Sequence, residues 1–341
     1  MGDEIVITTS IDPEEWDHFV DNHPEGNIFH TQSMAKVWNQ TKKREALSLA
    51  AVDDTGKIIA VLQAVIIKEK IDFLGSFSAR SVIHGGPLYL ANSEGQRAST
   101  ALIKEHDKIC QKRALYSQIR NLCDTSSKID LFKQLDYQYE EHLNFLIELK
   151  KSEEELWKQL KKSRRYGIRS AEKNNVIIEE VFDKSLIPTI YDIIRETYRI
   201  AKIPLADISL FESAFDILDR KGMMKIFLAK QNENYIGTII ILLYKGVAYD
   251  WYAAAYRKHL NAYPNDLLAW HAIKWCKKNS FSTFDFGGAG KPDVPYGPRE
   301  FKQQFGGEST NYGRYSKIYS PFKLKIAESG YELYKRVIGK C

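Results

Sequence analysis

Two hydrophobic periodicities take turns along the chain, and their order predicts its elements. Residues 5–11 alternate apolar and polar like a strand, and Asp12-Pro13 then opens a helix carrying Trp16 and Phe19. Aspartate at the N-cap followed by proline in the first turn is a helix-start signal. Thr31 caps a second helix bearing Met34, Val37 and Trp38. A hairpin follows, with strands over 46–52 and 58–67 around the polar turn Asp53-Asp54-Thr55-Gly56. Residues 77–90 hold another strand and the sharp turn His84-Gly85-Gly86-Pro87. A helix over 97–113, a strand at 118–122, a short helix over 128–135 and strands around 137–140 and 144–149 complete the first half.

The second half opens with a charged helix over 152–162, runs through a basic segment to a strand at 176–182, and continues with helices over 187–201 and 210–221. A hairpin then returns, 224–230 and 236–244 around Asn232-Glu233-Asn234. Each hairpin is an apolar strand, a polar turn and a longer apolar strand. Each is followed by a third strand (76–83; 247–254), a helix and a further strand (118–122; 281–286). Two units of one order point to a tandem duplication. The order differs from the βαβα alternation of a doubly wound sheet. It predicts a mixed α/β fold of two tandem domains, each a central mixed sheet flanked by helices, as in the acyl-CoA N-acetyltransferase superfamily. The boundaries are placed at residues 1–150 and 151–320. Residues 321–341 form a terminal helix expected to pack back on the first domain, with a membrane surface as its alternative partner.

Composition narrows the function classes. With 44% hydrophobic and 12% aromatic residues, the chain has ample material for cores. A net charge of +5 fits anionic partners and is too small to identify nucleic acid. The four cysteines lack CxxC spacing and the eight histidines lack HExxH, so neither a metal site nor a disulfide framework is expected. The N-terminal residues show no secretory signal pattern, and no apolar run approaches the ~20 residues that span a bilayer. A cytoplasmic monomer, with peripheral membrane contact as the variant, is the expectation.

Candidate chemistry concentrates in residues 284–308, FDFGGAGKPDVPYGPREFKQQFGGE. A strand ends at Phe286, a Gly/Pro-rich loop follows, and Phe301 and Phe305 stand four apart so that one helical face can anchor to the core. That anchor holds Arg299 and Lys302 toward whatever the loop encloses. On residue types alone the stretch reads either as a ligand loop or as a structural loop with a solvated lysine.

Four segments, SMAKVW (33–38), KKSRRYGIRSAEKNNV (161–176), YDWYAAAY (249–256) and the 284–308 stretch, resemble the FemABX family. These are tandem acetyltransferase-fold enzymes that transfer an amino acid from aminoacyl-tRNA to an amine of a peptidoglycan precursor. The resemblance implies that Lys302 stabilises the transition state beside the acyl ester and that Phe301 holds the tRNA acceptor end. It implies that Lys36 binds the nucleotide-phosphate end of the acceptor. It places Tyr252 and Asp250 on the strand lining the acceptor groove, Tyr252 bonding the substrate and Asp250 accepting a proton or fixing the amine. Strand alternation predicts that these two share a face. Asp124 falls near a family carboxylate considered as a base and ranks below Asp250. Tyr296 and Arg299 are assigned to anionic or peptide groups, and the 161–169 basic run to phosphates of tRNA or of a lipid-linked precursor.

Two departures shape the reading. The family arginine that helps bind diphosphate has no counterpart in Ile203-Pro204-Leu205-Ala206-Asp207, and no inserted helix pair is present. An acyl-CoA donor would want glycines after the third strand of the repeat, where residues 257–265 read RKHLNAYPN. The expected function is therefore aminoacyl transfer from aminoacyl-tRNA to an amine of a cell-wall or surface-glycan precursor, with no bound cofactor. The alternatives are a CoA-dependent N-acyltransferase acting on an amino sugar or small amine, and a non-catalytic tandem-fold binding module.

Overall fold

A computed structural model describes residues 5–68 and 79–326. The chain divides into two compact units, Met1–Glu140 with Tyr312–Cys341, and Glu141–Asn311. In the first unit the strands are β1 (Val6–Thr8), β2 (Arg44–Val52), β3 (Ile58–Ile67), β4 (Arg80–His84), β5 (Leu88–Tyr89), β6 (Tyr116–Arg120) and β7 (Gln138–Glu140). Its helices are α1 (Pro13–Asn22), α2 (Gln32–Gln40), α3 (Ser93–Cys110) and α4 (Ile129–Gln134). The second unit carries β8 (Leu143–Glu148), α5 (Glu153–Gln159), α6 (Lys162–Lys173), β9 (Val176–Glu180), α7 (Ile187–Ala201) and α8 (Ser209–Leu218). It continues with β10 (Met224–Gln231), β11 (Asn234–Tyr244), β12 (Val247–Ala255), α9 (Pro264–Lys278), β13 (Thr283–Gly288), α10 (Gly297–Gln303) and β14 (Glu308–Asn311). β15 (Arg314–Ile318) lies in the first unit.

Strand order makes the repeat explicit. The first sheet runs β1-β2-β3-β4-β6-β15-β7, and the second β9-β10-β11-β12-β13-β8-β14. In each, three antiparallel pairings along four strands lead to one parallel pairing, β4 with β6 and β12 with β13. The position beyond that pair is filled from the other half of the sequence. β8 follows β7 after two residues yet joins the second sheet, and β15 follows β14 yet joins the first. A cut at 150/151 would leave β8 with the first domain, and a cut at 320 would leave β15 with the second. Backbone pairing moves both, because an edge filled by either strand satisfies the same row of N–H and C=O groups.

Local signals act as read. Asp12 caps α1 by accepting from Glu14 and Glu15, and Thr31 caps α2 by accepting from Met34. In the second unit Ile239, Ile241, Leu243 and Ala248 share a core with Leu268, Trp270 and Ile273 of α9 and with Phe284, Phe286 and Phe305. Residues 321–326 are helical; the rest of the expected terminal helix, and its packing, lies outside the described residues. No helix among the described residues is long and apolar enough to cross a membrane.

Candidate active site

β12 and β13 pair only through Val247↔Thr283, Ala248↔Phe284 and Tyr249↔Asp285. From Asp250 and Phe286 onward that parallel register ends, and the sheet opens between its two central strands. β13 also breaks register with β8 between Asp285 and Gly288. The carbonyls of Phe286 and Gly288 at this break are met by one side chain. Lys302 Nζ donates to Phe286 O at 2.5 Å and to Gly288 O at 2.8 Å.

α10 delivers that ammonium. Phe305 is buried against Phe286 with ring centroids 5.3 Å apart, and Phe301 packs on Phe305 at 5.1 Å. Two aromatics four residues apart anchor one helical face, so the lysine stem between them turns back to the end of β13. Asp250 and Asp285 are its electrostatic partners. Burial lowers the Lys302 pKa from the ordinary lysine range, and the two carboxylates oppose that shift. Both carboxyls are themselves pushed up to about 6, in each case mainly by desolvation. Asp285, 2% exposed, is held by the Gly287 N–H at 2.7 Å and Asn144 Nδ2 at 3.4 Å. The Asp250 carboxylate carries no hydrogen bond among the described residues. One carboxylate is locked and one is available, both titrating near neutrality, beside a cation at a sheet opening.

Strand register corrects one expectation. A bulge between Ile240 and Ile241 leaves Ile240 opposite Tyr252 and Ile241 opposite Asp250, with Trp251 as the extra residue. Asp250 and Tyr252 therefore face opposite sides of the sheet. Tyr252 packs on Phe211 of α8 and Tyr198 of α7, with centroids at 4.9 and 5.9 Å. Simple alternation could not reveal this, because one inserted residue reverses the face of everything beyond it.

The other candidates separate. The Arg299 guanidinium donates to Ala289 O at 3.0 Å, Pro292 O at 2.5 Å, Lys291 O at 2.6 Å and Val294 O. It clamps the 289–294 loop and does not reach out to a ligand. Tyr296 precedes α10 at 39% exposure. Lys36 is exposed on α2 and Asp124 is exposed after β6, both in the first unit. Asp124 accepts from Ser126 N at 2.9 Å and Ser126 Oγ at 3.2 Å, a local turn bond.

The basic run is partly internal. Arg164 pairs with Asp266 at 2.8 Å and stacks over Phe301 at 5.0 Å from the ring centroid. Arg165 donates to Lys158 O and Leu160 O, and Arg169 lies over Trp157. Gly167 lets α6 approach α9 closely, since a Cβ there would stand 2.5 Å from Asp266 Oδ1. Asp266, buried in the first turn of α9, has its pKa raised by desolvation to about 6, against the pull of Arg164. Sequence reasoning passed over Asp285, Asn144 and the Arg164–Asp266 pair. Only Asp285 carried a signal, an acid between two phenylalanines in an otherwise apolar strand.

Comparison with known proteins agrees with this layout. Residues 158–303 match the family model of an acetyltransferase (GNAT) domain. FemX superposes over 97% of this chain and 99% of its own, with a TM-score of 0.69 at 17% identity. The chain has a FemABX-like tandem acetyltransferase fold. L-PGS from Bacillus licheniformis is similar over 97% of both chains, with a TM-score of 0.57 at 14% identity. A tandem GNAT protein from the clavulanic acid biosynthesis pathway is similar over 94% of this chain and 99% of its own, at 0.57 and 9%. No curated protein matches the sequence. The match to the GNAT domain falls within the second unit, and Lys302 and both aspartates lie in the opening of that unit's central strands.

Proposed function

We propose that this chain is an acyltransferase that carries an amino acid from aminoacyl-tRNA to an amine of a cell-wall or surface-glycan precursor. The observation that carries the reading is Lys302, fixed by two carbonyls at the opening between β12 and β13 beside Asp250 and Asp285. Aminolysis of an ester needs positive charge at the developing oxyanion, a proton acceptor for the amine, and fixed orientation of both. Lys302 supplies the charge. Asp250 is the acceptor, because its carboxyl titrates near neutrality and has no competing hydrogen bond. Asp285, locked by Gly287 and Asn144, is the positioning residue that keeps the ammonium charged against its burial. Phe301 and Tyr296 offer aromatic faces beside the loop for the tRNA acceptor end.

The end of α9 weighs against coenzyme A. A pyrophosphate would want bare N–H groups there. This chain instead has Tyr263 in a left-handed conformation, Pro264 opening the helix, and the Asp266 carboxylate buried in the first turn. That carboxylate is paired with Arg164 at 2.8 Å, so the first turn presents a filled ion pair rather than open N–H groups. The reaction thus takes place with no bound cofactor, in a cytoplasmic monomer that meets its precursor in solution or at the membrane surface.

The test is calorimetric titration of an aminoacylated acceptor-stem minihelix and of acetyl-CoA against wild type and Lys302→Ala. Binding of the minihelix, weakened in the variant, with silence toward acetyl-CoA is the expected result. Tight acetyl-CoA binding would move the assignment to N-acyl transfer onto an amino sugar or small amine. Silence toward both, with the fold intact, would leave only a binding module.

A further inference from the structure

The pairing of β12 with β13 stops at Tyr249↔Asp285, so backbone bonds do not set the width of the opening beyond that point. Lys302 rides on α10, a helix of seven residues, none of them buried. A helix that short is marginal by itself, so side chains from its neighbours place it. On one wall the ties are the two Lys302 bonds to β13 and the packing of Phe305 on Phe286. Asp250 stands on the other wall, β12.

The remaining ties come from α6. The Lys161 N–H donates to Gln304 O at 2.9 Å, and Ser163 Oγ donates to Gln304 Oε1 at 2.8 Å. These two bonds hold the far end of α10. Arg164 bears on its middle. The guanidinium lies over the Phe301 ring, 5.0 Å from the centroid, and Nη1 stands 2.8 Å from Asp266 Oδ1. A planar guanidinium offers its face to an aromatic ring and its edge to a carboxylate at once, which an ammonium cannot do. Asp266, 5% exposed, lies in the first turn of α9, which follows β12 through the turn Arg257–Ala262. Leu268 and Ile273 of α9 share a core with Ile239 and Ile241 of β11, and β11 pairs with β12. The carboxylate that grips Arg164 is thus fixed to the β12 wall, while the ring under Arg164 is the neighbour of Lys302 in sequence.

We infer that Arg164 is a positioning residue, a strut from the β12 wall to α10 that sets where the Lys302 ammonium stands relative to Asp250. Asp266 is its foot and Phe301 its bearing surface. Without it, the part of α10 that carries Lys302 is tied to β13 alone and can swing away from Asp250. A displacement of about 1 Å between reacting groups costs on the order of 10²-fold in rate. This effect on rate rests on the transfer reaction proposed above, whereas the strut itself does not.

Two readouts on the full chain keep strut and reaction apart. Limited acetylation with acetic anhydride, followed by peptide mass spectrometry, reports how freely Lys302 meets solvent. Arg164→Lys keeps the charge and loses the flat face; Asp266→Asn keeps the face and loses the anchor. Each should raise Lys302 labelling by about threefold or more through local loosening, with labelling of Lys36 and the circular dichroism unchanged. Labelling equal to wild type in either variant overturns the strut, whatever the donor of the reaction. Single-turnover transfer from an aminoacylated minihelix to a lysine-containing peptide should fall about tenfold to a hundredfold in Arg164→Lys. In a Lys302→Met background the same change should cost no more than about threefold, because a residue that acts through Lys302 has nothing left to position. Equal losses in both backgrounds overturn the positioning role and leave Arg164 a stabilising contact. No transfer by wild type, with the labelling response intact, overturns aminoacyl transfer and upholds the strut.

Discussion

Replacing Lys302 by methionine separates catalysis from stability. Methionine keeps an unbranched apolar stem between Phe301 and Phe305 and removes only the ammonium. The loss is two hydrogen bonds, at 2.5 and 2.8 Å, to carbonyls at the β13 register break. Bonds from a charged donor contribute roughly 1.5–3 kcal/mol each. Two terms offset most of that loss. The ammonium is held where burial lowers its pKa, so its charged form is itself costly, and its half-buried position lets water reach the freed carbonyls. The net expectation is a loss of about 1–2 kcal/mol in stability, or a fall of about 2–8 °C in Tm for a domain of this size. Removing an oxyanion donor, in contrast, costs about 10²–10³ in kcat, roughly 3–4 kcal/mol of transition-state stabilisation. The assay is single-turnover transfer of a labelled amino acid from a charged minihelix to a lysine-containing peptide, run beside a melting curve. A rate within threefold of wild type refutes the assignment. So does a collapse in Tm that accounts for the lost rate, since Lys302 would then be a strut.

Asp250→Asn should abolish most transfer, by about 10²–10⁴-fold for a general base, and should remove the acid limb of the wild-type rate profile near pH 6. The same change should stabilise the protein at neutral pH. A carboxyl whose folded pKa lies above its unfolded value binds extra protons when folded, so its contribution is present below the unfolded pKa of 3.8 and is lost as pH rises through about 6. Denaturant melts at pH 4 and pH 8 check this, and greater destabilisation of the variant at pH 8 would contradict it. Asp107→Ala should destabilise the first unit by about 3–5 kcal/mol through uncompensated buried partners. That carboxylate, 4% exposed, accepts from Tyr137 and Tyr319 at 2.7 Å and Lys317 at 2.9 Å. Burial alone would raise its pKa, but these bonds and His106 hold it down, so the stabilisation should fade as pH falls below the ordinary carboxylate range. Arg299→Lys should speed amide hydrogen exchange across residues 289–294 and lower the transfer rate about tenfold by misplacing the loop, with little change in Tm; unchanged exchange there would show that the clamp is dispensable.

Periodicity and local chemistry settled a large part of this molecule in advance. The two hairpins, the caps at Asp12 and Thr31, and the Phe301/Phe305 anchor are short-range features. Their causes lie within a few residues, so the tandem architecture and the stretch carrying Lys302 were legible. Everything that depended on which strand pairs with which was not. β8 and β15 exchange sheets because a hydrogen-bonding edge accepts any strand of suitable length, and no local pattern names the partner. One extra residue at Trp251 sends Tyr252 to α7 and α8 and leaves Asp250 on the other side, since a period of two has no tolerance for an insertion. Asp285 draws its proton affinity from burial at the end of β13, and Arg164 its partners from α9 and α10. Sequence determined which residues could do chemistry here; the surroundings that set their charge were decided only when distant segments were brought together.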